Sequence, residues 1–144
     1  MVKIVESYAT LPAQDVKRAR QFYEQKLGLA PAEVAPDGGA IYRTGNSGFL
    51  VFQSRGKASG DHTQLAINVE NLTAAVGELK KNGVTFEEYD FPGLKTENGI
   101  ADEGNGNKVA WFKDTEGNLI GISQRTTAAT SGSASGRSAT TNGN

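Results

Sequence analysis

From Tyr8 to Ala13 the chain alternates as a strand does, with Ala9, Leu11 and Ala13 on one face and Tyr8, Thr10 and Pro12 on the other. Helical spacing follows: Val16, Ala19, Phe22, Tyr23 and Leu27 share a stripe, Asp15 stands as N-cap and Gly28 as stop, predicting a helix from Val16 to about Leu27. The pattern then repeats. Gln64 to Val69 sets Leu65, Ile67 and Val69 against Gln64, Ala66 and Asn68, and runs into a second stripe, Leu72, Ala75, Val76 and Leu79, between the cap Asn71 and the stop Gly83. Placing Asp15 on Asn71 also places Tyr8 on Gln64 and Val16 on Leu72.

Shorter strands are expected at Ala40 to Thr44, Phe49 to Ser54, Thr85 to Tyr89, Lys108 to Lys113 and Leu119 to Gln124, with turns at Gly45 to Gly48 and Asp114 to Asn118. The order reads as tandem βαβββ modules, about 3–58 and 59–124, within one domain over 1–124. The fold class is α+β: a curved mixed sheet around a cup, apolar faces under helices on the outer side and polar faces lining the concavity. Asp90 to Asn107, with Gly93, Gly99, Gly104 and Gly106, is long for a connection in a compact domain and reads as a lid. Residues 125–144, rich in Thr, Ser, Ala, Gly and Asn, read as a flexible low-complexity tail, native or appended.

With 144 residues the chain is long enough for one self-sufficient core. A net charge of −1, with Lys and Arg scattered among acids, argues against a nucleic-acid partner. The absence of Cys excludes disulfides, thiolate-held zinc and a cysteine nucleophile. No run has the length of a membrane span, so no membrane partner is expected, and without an apolar leader the expectation is a soluble, cytoplasmic protein.

Two stretches, Phe22-Tyr23-Glu24-Gln25-Lys26-Leu27-Gly28-Leu29 and Asp114-Thr115-Glu116-Gly117-Asn118, bracketing the duplicated pattern, resemble the vicinal-oxygen-chelate superfamily. That superfamily includes glyoxalase I, extradiol dioxygenases, fosfomycin-resistance transferases and bleomycin-resistance binding proteins, and the resemblance covers roughly 3–124. One scaffold hosts unrelated functions, so the likeness speaks to fold before activity. In metal-dependent members each half supplies two His or Glu ligands to a divalent ion in the cup. Carried over by position, these fall on Tyr8, Gln64, Gly121 and somewhere in Leu50 to Gln53, none of them His, Asp or Glu. The resemblance therefore implies a member without the usual metal ligands: no metal site, no cofactor, no catalytic residue. His62, the only histidine, sits in a Gly-rich turn and reads as exposed.

If alternation turns Gly121 toward the cup, Ile120 and Ile122 turn to the helices, and counting back across the hairpin sets Trp111 opposite Gly121. Trp111 then serves either the cup or packing in a core or dimer. The ligand-binding candidates are Tyr8, Tyr42, Phe52, Gln64, Trp111 and Gly121. Glu87, Glu88, Asp90, Glu97, Asp102 and Glu103 against Lys95 make the region near the long connection acidic, which favours a cationic ligand or is simply a solvated surface. The expected function is non-catalytic binding of an aromatic or amine-bearing small organic molecule. The alternative is a metal-dependent lyase or dioxygenase-like enzyme with unconventional ligands. By resemblance alone, the expected assembly is a homodimer.

Overall fold

The computed structural model describes residues 2–125, so all but the first residue of the expected tail lies outside the described residues. β1 (Ala9–Ala13) leads into α1 (Val16–Gln21), whose first turn is capped by Asp15 Oδ1 accepting from the Arg18 N–H at 3.0 Å. Beyond Gln21 the helix widens into a π turn over Phe22–Lys26. The adjacent Phe22 and Tyr23 both reach the core, Phe22 against Phe112 and Tyr23 between Tyr42 and Phe49. β2 (Pro31–Val34), β3 (Ala40–Thr44) and β4 (Ser47–Gln53) complete a sheet of order β1-β4-β3-β2, with β1 parallel to β4 and the other pairs antiparallel.

The second half repeats this topology. β5 (Thr63–Asn68) is followed by α2 (Leu72–Lys81), capped by Asn71 Oδ1 on the Ala74 N–H at 3.0 Å. A small hairpin, β6 (Asp90–Phe91) and β7 (Leu94–Lys95), precedes β8 (Ile100–Gly104), β9 (Asn107–Lys113) and β10 (Leu119–Gln124), giving the order β5-β10-β9-β8. The architecture is α+β, two mixed four-stranded sheets with two helices and, among the described residues, no closed barrel.

Two expectations need correcting. Thr85 to Tyr89 forms no strand of its own and contributes a single bridge, Phe86 to Phe112. Asp90 to Asn107 is no simple lid, because its second part is β8, paired along β9. Asn98 and Gly99 before β8, and Asn105 and Gly106 after it, all take positive φ, the pairs that let two tight turns fold this glycine-rich stretch into the sheet.

One core serves both halves. Leu11, Val51, Tyr42 and Phe49 of the first sheet and Ala110, Phe112, Ile120 and Ile122 of the second belong to a single cluster with Val16, Ala19, Leu72, Val76 and Leu79 of the helices. Each large apolar side chain buried there contributes roughly 1.5–3 kcal/mol. Alternation sends the remaining strand residues to the opposite face.

The Asp114–Asn118 turn clasps the halves together. Asn118 Nδ2 donates to Pro12 O at 3.0 Å and to Asp114 Oδ2 at 2.8 Å, and Tyr23 Oη donates to the same Asp114 oxygen at 2.6 Å. Arg18 forks onto Glu116 at 2.7 and 3.1 Å while the Asp15 N–H donates to Glu116 Oε1 at 3.1 Å. Burial and then the neighbouring Asp114 charge push the Tyr23 phenol upward, keeping it a donor. Burial alone would raise the Glu116 carboxyl, but the bonds from Arg18, the Asp15 N–H and Thr115 outweigh it and hold that group below its ordinary value.

Candidate ligand-binding face

β9 and β10 pair in a register that sets Trp111 directly opposite Gly121, as the hairpin count predicts. Ile120 and Ile122 join the helix-covered core, so Trp111 and Gly121 share the face that the helices leave uncovered. The indole is fixed there. Its Nε1–H donates to Thr63 Oγ1 at 3.2 Å, and a Cβ added at Gly121 would lie 3.4 Å from Nε1 and 3.3 Å from Thr63 Cγ2. Gly121 is thus the space into which the edge of the indole fits.

The other candidates distribute unevenly. Phe52 pairs with Pro12 between β4 and β1, on the uncovered face and half-buried. Gln64 lies on β5, where its Nε2 donates to Thr10 O at 3.2 Å and ties the β1 and β5 edges together. Tyr8 precedes β1, with the Arg43 guanidinium 5.4 Å from its ring centroid and Glu6 3.5 Å from Arg43. Tyr42 is a correction: it is fully buried on the helix side, packed on Tyr23 and Phe49, and its hydroxyl donates to Glu24 at 2.8 Å. On β3, Tyr42 pairs with Phe49, so it takes the core parity while Ile41 and Arg43 take the other. His62 is exposed, its Nδ1 3.3 Å from Thr63 O.

Sequence reasoning missed Tyr89 and Phe91 and read Glu87 only as one of the acids near the long connection. Glu87 donates its N–H to Trp111 O at 2.8 Å, next to the Phe86–Phe112 bridge, so the Glu87 and Trp111 side chains leave on the same face. Tyr89 stands edge-on to the indole, centroids 5.4 Å apart and planes at 83°, and Phe91 stands edge-on to Tyr89 at 5.9 Å and 72°. Burial and then the Glu87 charge push the Tyr89 phenol upward. The available signal was the spacing of two that puts Glu87, Tyr89 and Phe91 on one face of an extended chain, obscured by the acids Glu88 and Asp90 between them.

A cleft of about 330 Å³ lies among Val5–Tyr8, Arg43 and Asn46–Gly48, and another of about 330 Å³ among Phe22, Lys26, Gly83–Thr85, Glu87 and Lys113–Thr115. Trp111, Phe52, Gln64 and Gly121 border neither.

The positions that the superfamily resemblance assigns to a divalent ion do not fit one here. Tyr8 is a phenol pushed upward by burial, Gln64 offers at most one neutral amide oxygen while its Nε2 is held by Thr10 O, and Gly121 has no donor side chain. Among the described residues no three His, Cys, Asp or Glu side chains gather as a ligand group. Nor, among the described residues, is any helix long and apolar enough to cross a membrane.

Residues 7–122 match the family model of the Glyoxalase/Bleomycin resistance protein/Dioxygenase superfamily. No curated protein matches the chain. Among solved structures, an integron cassette protein from V. cholerae is similar at 21% identity and TM-score 0.59, the match covering 88% of this chain and 98% of that one. The antibiotic binding protein TnmS3 from a Streptomyces species is similar at 17% identity and TM-score 0.60, over 88% and 99%. The fosfomycin resistance protein FosX from Listeria monocytogenes is similar at 12% identity and TM-score 0.65, over 88% and 96%. At these identities the likeness is one of fold.

Proposed function

Because the chain belongs to the Glyoxalase/Bleomycin resistance protein/Dioxygenase superfamily, we propose that it is a non-catalytic binding protein that sequesters an aromatic or amine-bearing small organic molecule on the uncovered sheet face. The observation that carries this reading is the pinned indole of Trp111 beside Gly121, at a position where metal-dependent relatives need a donor side chain. A fixed aromatic ring binds flat ligands at low ordering cost, with roughly 0.5–1.5 kcal/mol per good aromatic pair beyond burial. Phe52, Gln64 and Tyr8 complete the proposed site, within a domain of 1–124 built from modules 3–58 and 59–124. The fold shared with an antibiotic binding protein and a fosfomycin resistance protein supports small-molecule handling of this kind.

We extend the proposal to a homodimer, supported by Val2, Ile4 and Val5, apolar side chains with no cover in the described chain. Light scattering coupled to gel filtration tests that part. For the binding function, titrating Trp111 emission against a panel of aromatic and cationic compounds is the test; silence across the panel refutes it. Stoichiometric metal in protein purified without chelator, lost on replacing Tyr8 or Gln64, would instead support the enzymatic alternative.

A further inference from the structure

The rings of Trp111, Tyr89 and Phe91 succeed one another nearly at right angles, at 83° and 72°, on the uncovered face of the second sheet. Rings crossed in this way present faces on two sides of a corner, unlike a flat stack. All three are at least partly accessible, and Phe91, whose ring neighbour is Tyr89, is 54% exposed at the start of the β6–β7 hairpin. Aromatic faces carry negative potential, and crossed faces are the arrangement by which proteins hold quaternary ammonium groups. The same corner holds a carboxylate. Glu87 pairs with Trp111 across the backbone and lies near enough to Tyr89 for its charge to act on the phenol, at the border between this corner and the cleft that Lys26 and Lys113 line. No ion pair to Glu87 is among those formed by the described residues, whereas Asp90 is engaged by Lys95 at 3.5 Å and Glu88 accepts from Thr96.

We propose that Trp111, Tyr89, Phe91 and Glu87 form a cage for a flat organic cation, the rings facing its charge-bearing nitrogen and Glu87 supplying the counter-charge. The inference rests on the binding function above and narrows its ligand class to aromatic cations, with the hairpin arm as the specificity element. A neutral ring of the same outline keeps the stacking area but forfeits the electrostatic attraction, so charge should discriminate by about tenfold.

The test is calorimetric titration of the full chain with N-methylquinolinium and with quinoline, its uncharged counterpart at neutral pH. The expected result is tighter binding of the cation by about tenfold. Glu87→Gln should abolish most of that preference, and Phe91→Ala should weaken both compounds, neither change touching the core. Equal affinities, an unchanged preference in Glu87→Gln, or no binding of either compound would overturn the cage. Emission changes at Trp111 with other compounds in the panel would then leave the broader binding function standing, whereas a silent panel would remove both.

Discussion

Trp111 and Gly121 face each other across the β9–β10 hairpin so closely that a methyl group on Gly121 would stand 3.4 Å from the indole nitrogen. The tighter contact is with Thr63 Cγ2 at 3.3 Å, a length at which the neighbour must yield by a few tenths of an ångström. Gly121→Ala should therefore strain the Trp111–Thr63 hydrogen bond and shift the indole emission, at a cost of about 1 kcal/mol. Larger residues should displace the ring and weaken ligand binding. Emission spectra with urea denaturation separate the two effects.

Tyr42 makes a complementary control. Tyr42→Phe removes the hydroxyl donated to Glu24 but keeps the ring between Tyr23 and Phe49. Stability should fall by about 1 kcal/mol while affinity for any ligand of the uncovered face stays unchanged. A loss of affinity without loss of stability would place Tyr42 back among the ligand contacts.

Tyr23→Phe should cost more, about 1–3 kcal/mol, because the buried Asp114 carboxylate loses a donor. Urea midpoints, compared with Tyr42→Phe, test the ranking.

The Arg18–Glu116 contact predicts the acid side of the stability curve. Folded Glu116 titrates below its ordinary 4.5, so in that interval the unfolded chain holds more protons than the folded one. The contribution is complete above about 4.5 and is lost as pH falls through the folded value. Glu116→Gln should flatten that part of the curve, and Arg18→Ala should lower stability near neutrality by leaving a buried carboxylate underpaired. Denaturation midpoints measured across acid pH check both.

The hairpin register was readable in advance because the Asp114–Asn118 turn is short and fixes which residues oppose, so a count from the turn reaches Trp111 and Gly121 together. The helix starts were readable from the local chemistry of Asp15 and Asn71. What escaped was set by neighbours distant in sequence. β2 is an edge strand with Ala32, Glu33 and Val34 all exposed, so it carries no alternation to detect. β8 hides between two glycine turns that look like loop composition. The facing of Tyr42 depends on pairing with Phe49, and an aromatic residue fits either face of a strand equally well by type. Tyr89 reaches Trp111, and Phe91 reaches Tyr89, because β8 occupies part of the β9 edge and the chain before the hairpin occupies the rest.

The β9–β10 hairpin carries the sole tryptophan midway along one strand and, at its tip, the turn bolted to Pro12, Arg18 and Tyr23 of the other half. Undocking the two halves would drag on the ribbon that holds the fluorophore. The molecule thus contains its own strain gauge: native emission reports whether the halves remain joined, with no label attached.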